Sequence, residues 1–219
     1  MEDTDLRLLE LIAARMCHDL VGPVGAAVNG AELLAEGEAA DVEVVRLIGQ
    51  SARQASRRLQ VFRVIYGTPG ALSGGAPFAQ AGQLLAGMLE GEKAALEWRI
   101  EPACETAAGR TGARIALLLA LACIEALPRG GTVRATGGIV GSRVTLEAAA
   151  IGQGAKFAEE AVAAFAGRTA PAQLNPKTAP WELSRRLARA AGGGIDVAVG
   201  QDGPLVRAIL PSILGGITA

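Results

Sequence analysis

Histidine is almost absent from this chain: there is one in 219 residues. With a single imidazole and no Cys-x-x-Cys pair, the sequence argues against a structural zinc site. Cysteine is scarce too. Cys17, Cys104 and Cys123 are odd in number and scattered, so they read as reduced thiols of a cytosolic protein. Aromatic residues make up 3% of a chain that is 50% hydrophobic, which favours helices packed closely through Ala and Gly. Neither sign of charge dominates: the net charge is −1, with no global signature of nucleic-acid binding. The longest apolar run, "IALLLALACIEALP", is broken by Glu125 and is too short to span a bilayer. The first residues, "MEDTDLRLLE", are acidic where a secretory signal would be basic. The expectation is a cytoplasmic protein with neither membrane nor nucleic acid as partner.

Two stretches near the N-terminus carry helical periodicity. Leu6, Leu9, Ala13, Met16, Leu20, Pro23, Ala27, Gly30 and Leu34 are spaced by alternating threes and fours, a heptad seam. "EGEAAD" breaks the pattern, and Asp41 offers an N-cap for a second helix. That helix has its seam at Val45, Ile48, Ala52, Ala55, Leu59, Phe62 and Tyr66, and "GTPG" ends it. Two helices of roughly 27 to 30 residues with a short link form an antiparallel hairpin. A lone hairpin cannot cover two apolar stripes, so this unit, residues 1–70, is expected to homodimerise into a four-helix bundle. The alternative is that it packs on the rest of the chain.

His18 lies between Met16 and Leu20, off the seam and facing outward. Its helical neighbours are Ala14, Arg15, Val21, Gly22 and, two turns on, Gly25. Glycine costs a helix interior up to about 1 kcal/mol relative to alanine, so two glycines beside the histidine need a reason. A bare surface around a ring nitrogen lets another protein's active site come close. Pro23 removes the amide that would bond the Asp19 carbonyl, and is expected to loosen that turn. A neutral imidazole is a good nucleophile near pH 7. An adjacent carboxylate, Asp19, fixes the tautomer by accepting from one ring nitrogen, leaving the other nitrogen's lone pair free. The bland alternative is an ordinary surface histidine.

The stretch "HDLVGP" resembles the phosphoacceptor box of histidine kinases: a His, an acidic neighbour, and a Pro five positions after the His, on the first helix of a dimeric hairpin. The resemblance implies that His18 carries a phosphoryl group and that Asp19 orients and activates it.

Residues 75–219 alternate helical and strand patterns. Helices are expected over "FAQAGQLLAGMLE", "GARIALLLALACIEALPRGG", "AKFAEEAVAAFAG" and "PWELSRRLARAA", and strands over "ALEWRI", "GGIDVAVG" and "GPLVRAILP". "TVRATGGIVGSRVTLEAAA" reads as a β-hairpin turning at Gly137 and Gly138. The fold class is α+β, with the helical hairpin followed by an α/β sandwich whose helices cover one face of the sheet.

The segments "ALPRGGTV", "IGQGA" and "LSRRLARAAGGGIDV" resemble parts of the ATP-binding domain of histidine kinases. Those kinases need an Asn near Ala122 for Mg²⁺ and an Asp near Ala150 for adenine. This chain has no Asn between 30 and 174 and no Asp between 42 and 195. A buried adenine amine without an acceptor costs about 1–3 kcal/mol. "NPKTAPWEL" also lacks the glycines whose amides cradle phosphates. The domain is thus expected to be an ATPase-like sandwich without a nucleotide site.

A phosphoacceptor hairpin joined to such a domain resembles the alphaproteobacterial histidine phosphotransferases of the ChpT type, over roughly residues 5–211. The resemblance implies a phosphorelay without ATP: one receiver domain donates from its aspartate to His18, and a second receiver takes the group. The Mg²⁺ would sit on the receiver, and no cofactor or metal is expected on this chain. Docking would use Arg15, Val21, Gly22 and Gly25, with Arg15 partly balancing the phosphoryl charge. The second helix is basic (Arg46, Arg53, Arg57, Arg58, Arg63) and is most simply a solvated face. Two other functions stay open: an ATP-using kinase with diverged boxes, and a non-catalytic docking scaffold.

Overall fold

The computed structural model describes residues 3–36, 42–67 and 76–213. Most of the "EGEAAD" break, the Asp41 cap and most of the "GTPG" stop lie outside the described residues. Helices α1 (Asp3–Ala35) and α2 (Val42–Tyr66) are followed by α3 (Pro77–Leu89) and strand β1 (Ala94–Ile100). Then come the short α4 (Ala103–Ala107), α5 (Gly109–Glu125), β2 (Gly131–Val140) and β3 (Arg143–Ile151). The chain closes with α6 (Glu159–Phe165), α7 (Ala179–Ala190), β4 (Gly194–Val199) and β5 (Pro204–Pro211).

Helices α1 and α2 pair along the expected seam. Gly30 permits a close approach, because a Cβ there would lie 2.7 Å from Ile48 Cγ1. Pro23, Gly30, Ala55 and Phe62 are buried in this contact, whereas Leu6, Leu9, Ala13, Val45, Ala52 and Leu59 stay exposed in the single chain. The seam is therefore wider than one hairpin can cover. The other end of the hairpin does pack on the rest of the chain. Val61, Val64 and Ile65 of α2 join one core with Phe78, Leu85, Ile115 and Leu118. Arg114 of α5 caps the end of α2 by donating from Nε and Nη2 to the Ile65 carbonyl, at 3.1 and 2.7 Å. Leu8 of α1 is buried, and Arg7 donates to the carbonyls of Pro171, Ala172 and Leu174.

The sheet runs β1-β2-β3-β5-β4, with β1 and β2 parallel and the remaining neighbours antiparallel. Along β3 buried residues alternate with less buried ones, as a sheet covered on one face requires. The cover is α5, whose Ile115, Leu117, Leu118 and Leu119 have no solvent contact. This helix touches β2, β3 and β5 as well as α3 and α7, so it is apolar nearly all round. That enclosure explains the run "IALLLALACI", and its end explains Glu125, the last residue of α5, at the rim of the layer.

Two details depart from the sequence reading. The β2–β3 turn is not at Gly137 and Gly138 but at Gly141 and Ser142, where Gly141 takes the left-handed φ of +61°. Gly137 lies within β2, and a Cβ there would stand 2.9 Å from Ile100 Cγ2 and 3.0 Å from Leu146 Cδ2. Its bareness serves packing, not turning. Helix α6 is also shorter than its pattern suggested. Phe165 of α6 stacks on Trp181 of α7, with ring centroids 5.6 Å apart, so Trp181 is a core residue.

Candidate functional site

His18 projects from the middle of α1 with 84% of its side chain accessible. Its Nδ1 lies 3.1 Å from Asp19 Oδ1. With the proton on Nδ1 the imidazole donates to that carboxylate, which leaves the Nε2 lone pair without a hydrogen-bond partner among the described residues. Asp19 itself is held inward, with 18% of its side chain accessible.

What holds Asp19 is a network that no local pattern announces. Its second oxygen, Oδ2, accepts from Arg15 Nε at 2.7 Å, one turn earlier on α1. Arg15 Nη2 reaches across to Glu125 Oε1, at 2.5 Å, on the second unit. Arg15 is thus clamped between two carboxylates and half-buried rather than standing free on the docking face. Burial alone would lower its pKa, but the charges of Glu125 and Asp19 outweigh it, so the guanidinium stays charged. Burial pushes the Glu125 carboxyl above its ordinary value, and Arg15 opposes that rise.

Pro23 leaves α1 continuous. The Asp19 carbonyl that it deprives of an amide is not left open: Arg58 Nη1 of α2 donates to it at 2.7 Å. A proline that could loosen this turn instead hands the carbonyl to the second helix of the hairpin, which pins the turn. Arg58 is the one residue of the basic α2 series with a direct hold on the site.

Around His18 the surface is bare. Built Cβ atoms at Gly22 and Gly25 meet nothing within 4 Å, and Val21 is exposed. On the other side the histidine borders a cleft of about 870 Å³ between α1 and the α/β unit. Its far wall includes Ala122, Phe157, Lys177 and Trp181. The loop carrying Lys177 is ordered by Asn175, whose Oδ1 accepts from the amides of Lys177 and Thr178 at 2.9 and 3.1 Å. Ala122 faces this cleft with a methyl group.

The structure therefore groups His18, Asp19 and Arg15 in one network and leaves Val21, Gly22 and Gly25 as open surface beside it. Sequence reasoning did not identify Glu125 as a member or Lys177 as part of the cleft wall, and read Arg58 as solvated. The one legible hint was Glu125, a carboxylate that interrupts an otherwise apolar run.

The model of the histidine phosphotransferase C-terminal domain family matches residues 78–203. The chain is similar to the protein phosphotransferase ChpT of Brucella abortus (strain 2308), with 34% identity over 128 residues. That alignment takes in 58% of this chain and spans 59% of the relative. Among solved structures, a bacterial phosphotransferase superposes with a TM-score of 0.73 at 24% identity, covering 95% of this chain and 97% of the other. The histidine kinase AdeS of Acinetobacter baumannii matches with a TM-score of 0.50 at 10% identity, over 90% of this chain and 98% of its own. These two likenesses establish the fold.

Proposed function

Because this chain belongs to the histidine phosphotransferase family, we propose that it relays phosphoryl groups between receiver-domain aspartates through a phosphohistidine at His18, without using ATP. The observation that carries this is the exposed His18 ring, with Nδ1 anchored on Asp19 and Nε2 free. A phosphoryl group held on a receiver aspartate would be attacked in line by Nε2. The P–N bond forms as the P–O bond to the aspartate breaks, and the aspartate leaves as a carboxylate. The reverse step delivers the group to a second receiver. Magnesium would belong to the receiver, and the contribution of this chain is position. The ATP-using alternative lacks support at Ala122 and Ala150, which present methyl groups where that chemistry needs an amide and a carboxylate. The test incubates the purified chain with a labelled phospho-receiver and, separately, with labelled ATP. Acid-labile label on His18 is expected only from the receiver. Label from ATP, or none from either source, rejects the relay.

The proposal includes a homodimer. Leu6, Leu9 and Ala13 on α1, and Val45, Ala52 and Leu59 on α2, form apolar stripes that the single chain leaves uncovered. Leu59, 48% exposed here, would be interior to a four-helix bundle. Leu59→Asp is expected to halve the mass seen by sedimentation equilibrium at concentrations where the wild type is dimeric. An unchanged mass would remove the bundle. By length and composition alone, α1 could cross a membrane. Its central Arg15, His18 and Asp19 are costly in lipid, and its ion pairs to the α/β unit, Arg15–Glu125 and Asp5–Arg186, favour the hairpin and a cytoplasmic site of action.

Docking is proposed on the face that bears Val21, Gly22 and Gly25, and it has a signature with opposed signs. Gly25→Ala meets no atom within 4 Å and, unlike Gly22, is not followed by a proline whose ring would crowd the new methyl, so the added helix propensity should stabilise the chain by up to about 1 kcal/mol. The same methyl obstructs a closely seated receiver, and transfer is expected to slow by about 3- to 10-fold. Chemical denaturation and single-turnover transfer read the two signs separately. A variant that is more stable and equally fast would mean that receivers do not approach over Gly25.

A further inference from the structure

Glu125 of the α/β unit reaches the Asp19 side chain through Arg15, from a position where helix physics does not favour a carboxylate. Glu125 closes α5, where the carbonyl ends of the helix make a negative charge unfavourable. It is also partly desolvated, keeping 39% of its side-chain exposure. A lysine or alanine would suit the helix better. The compensation is Arg15, 110 residues away in sequence, on the helix that carries His18.

Arg15 has one guanidinium and two carboxylates to serve. Nη2 goes to Glu125 Oε1 at 2.5 Å and Nε to Asp19 Oδ2 at 2.7 Å, while Asp19 Oδ1 faces His18 Nδ1 at 3.1 Å. The carbonyl of Asp19 is fixed independently by Arg58, so the freedom left to Asp19 is that of its side chain. Without Glu125 the guanidinium has only Asp19 to bind. A fork then pairs with both carboxylate oxygens, the usual bidentate geometry. That would draw Oδ1 away from the imidazole and spend its lone pairs on Arg15.

We propose that Glu125 is a positioning residue for phosphoryl transfer: by engaging the outer side of Arg15 it keeps Asp19 Oδ1 available to His18 Nδ1. The idea rests on the relay function above and gives the α/β unit, which lacks nucleotide-binding residues, a direct part in it. Glu125 touches neither the phosphoryl group nor the imidazole. It acts two contacts away, through Arg15 and Asp19.

His18 is the only histidine, so its two ring nitrogens can be read without assignment in a ¹⁵N-histidine sample. A long-range ¹H–¹⁵N correlation reports which nitrogen carries the proton in the neutral ring. The wild type is expected to favour the Nδ1–H form. In Glu125→Gln, an isosteric change that keeps a weaker acceptor, that preference should fall. Transfer from a phosphorylated receiver should slow by about 3- to 10-fold, and Glu125→Ala should slow it more. Thermal unfolding of each variant verifies that the fold is kept. A tautomer ratio that does not move overturns the proposal, even if transfer slows, because Glu125 would then act on the receiver directly. A ratio that moves with transfer unchanged overturns it too. The tautomer measurement needs no receiver, so a wild type that orders its imidazole yet accepts no phosphoryl group would refute the relay and not the positioning.

Discussion

A His18→Gln chain is expected to fold with a stability within about 0.5 kcal/mol of the wild type and to accept no phosphoryl group from any receiver. Both halves follow from where the ring sits. It is 84% exposed and its one hydrogen bond runs to the residue beside it, so the fold loses almost nothing. The chemistry loses its nucleophile. Glutamine matches the side chain in reach and polarity but has no lone pair able to attack phosphorus at neutral pH. Cys17, next to His18 and exposed, faces a different direction one-quarter turn away and does not substitute. Denaturant titration and transfer of labelled phosphate, run on the same preparation, are the measurements. Label retained on the variant would place the acceptor elsewhere in the chain. A variant that is unlabelled but still supports partner signalling would favour the docking scaffold.

The parts of the molecule legible in advance are those governed by periodicity. The alternating threes and fours from Leu6 to Leu34 place α1 and, from Met16 onward, the side it turns to α2, because helix geometry repeats in a single variable; in the first turns the seam residues Leu6, Leu9 and Ala13 stay exposed and the buried Leu8 lies off the seam. The apolar run ending at Cys123 and Ile124 shows an enclosed helix for the same reason. His18, Asp19 and Pro23 are legible because their relation is contained within two turns. The misplaced β-turn shows where local signals fail. A Gly-Gly pair in mid-strand and a Gly-Gly pair in a turn look alike, and only the arrival of Ile100 and Leu146 over Gly137 distinguishes them. The Arg15–Glu125 pair is harder still. It joins residues 110 apart, at the end of one helix and the middle of another, with no period relating them. Arg58 is the same case: among several arginines on α2, only the meeting of the two helices shows which one lies opposite the carbonyl that Pro23 frees. The proposed nucleophile can thus be named from the sequence, while the contacts that orient it depend on the fold.

Asp19→Asn offers the sharpest test of that apparatus, because it should be worse than deleting the side chain. The carboxylate has two acceptor oxygens in use, Oδ2 toward Arg15 at 2.7 Å and Oδ1 toward His18 at 3.1 Å. Asparagine has one acceptor and one donor. Its NH₂ cannot face the guanidinium, which only donates, so its oxygen turns to Arg15 and its NH₂ turns to the imidazole. That reverses the demand on His18: Nδ1 must now accept, and the proton moves to Nε2, the nitrogen that should attack. Transfer is expected to fall by about 10²- to 10⁴-fold, the upper end being the loss when the carboxylate that orients a catalytic imidazole becomes an amide that selects the wrong tautomer. Asp19→Ala removes the anchor without imposing the wrong one. Both tautomers then populate, and the loss should be nearer 10-fold. Single-turnover transfer rates give the ordering, and the ¹⁵N tautomer spectrum gives its cause. If alanine proves as damaging as asparagine, the carboxylate matters through its charge and not through the proton it places.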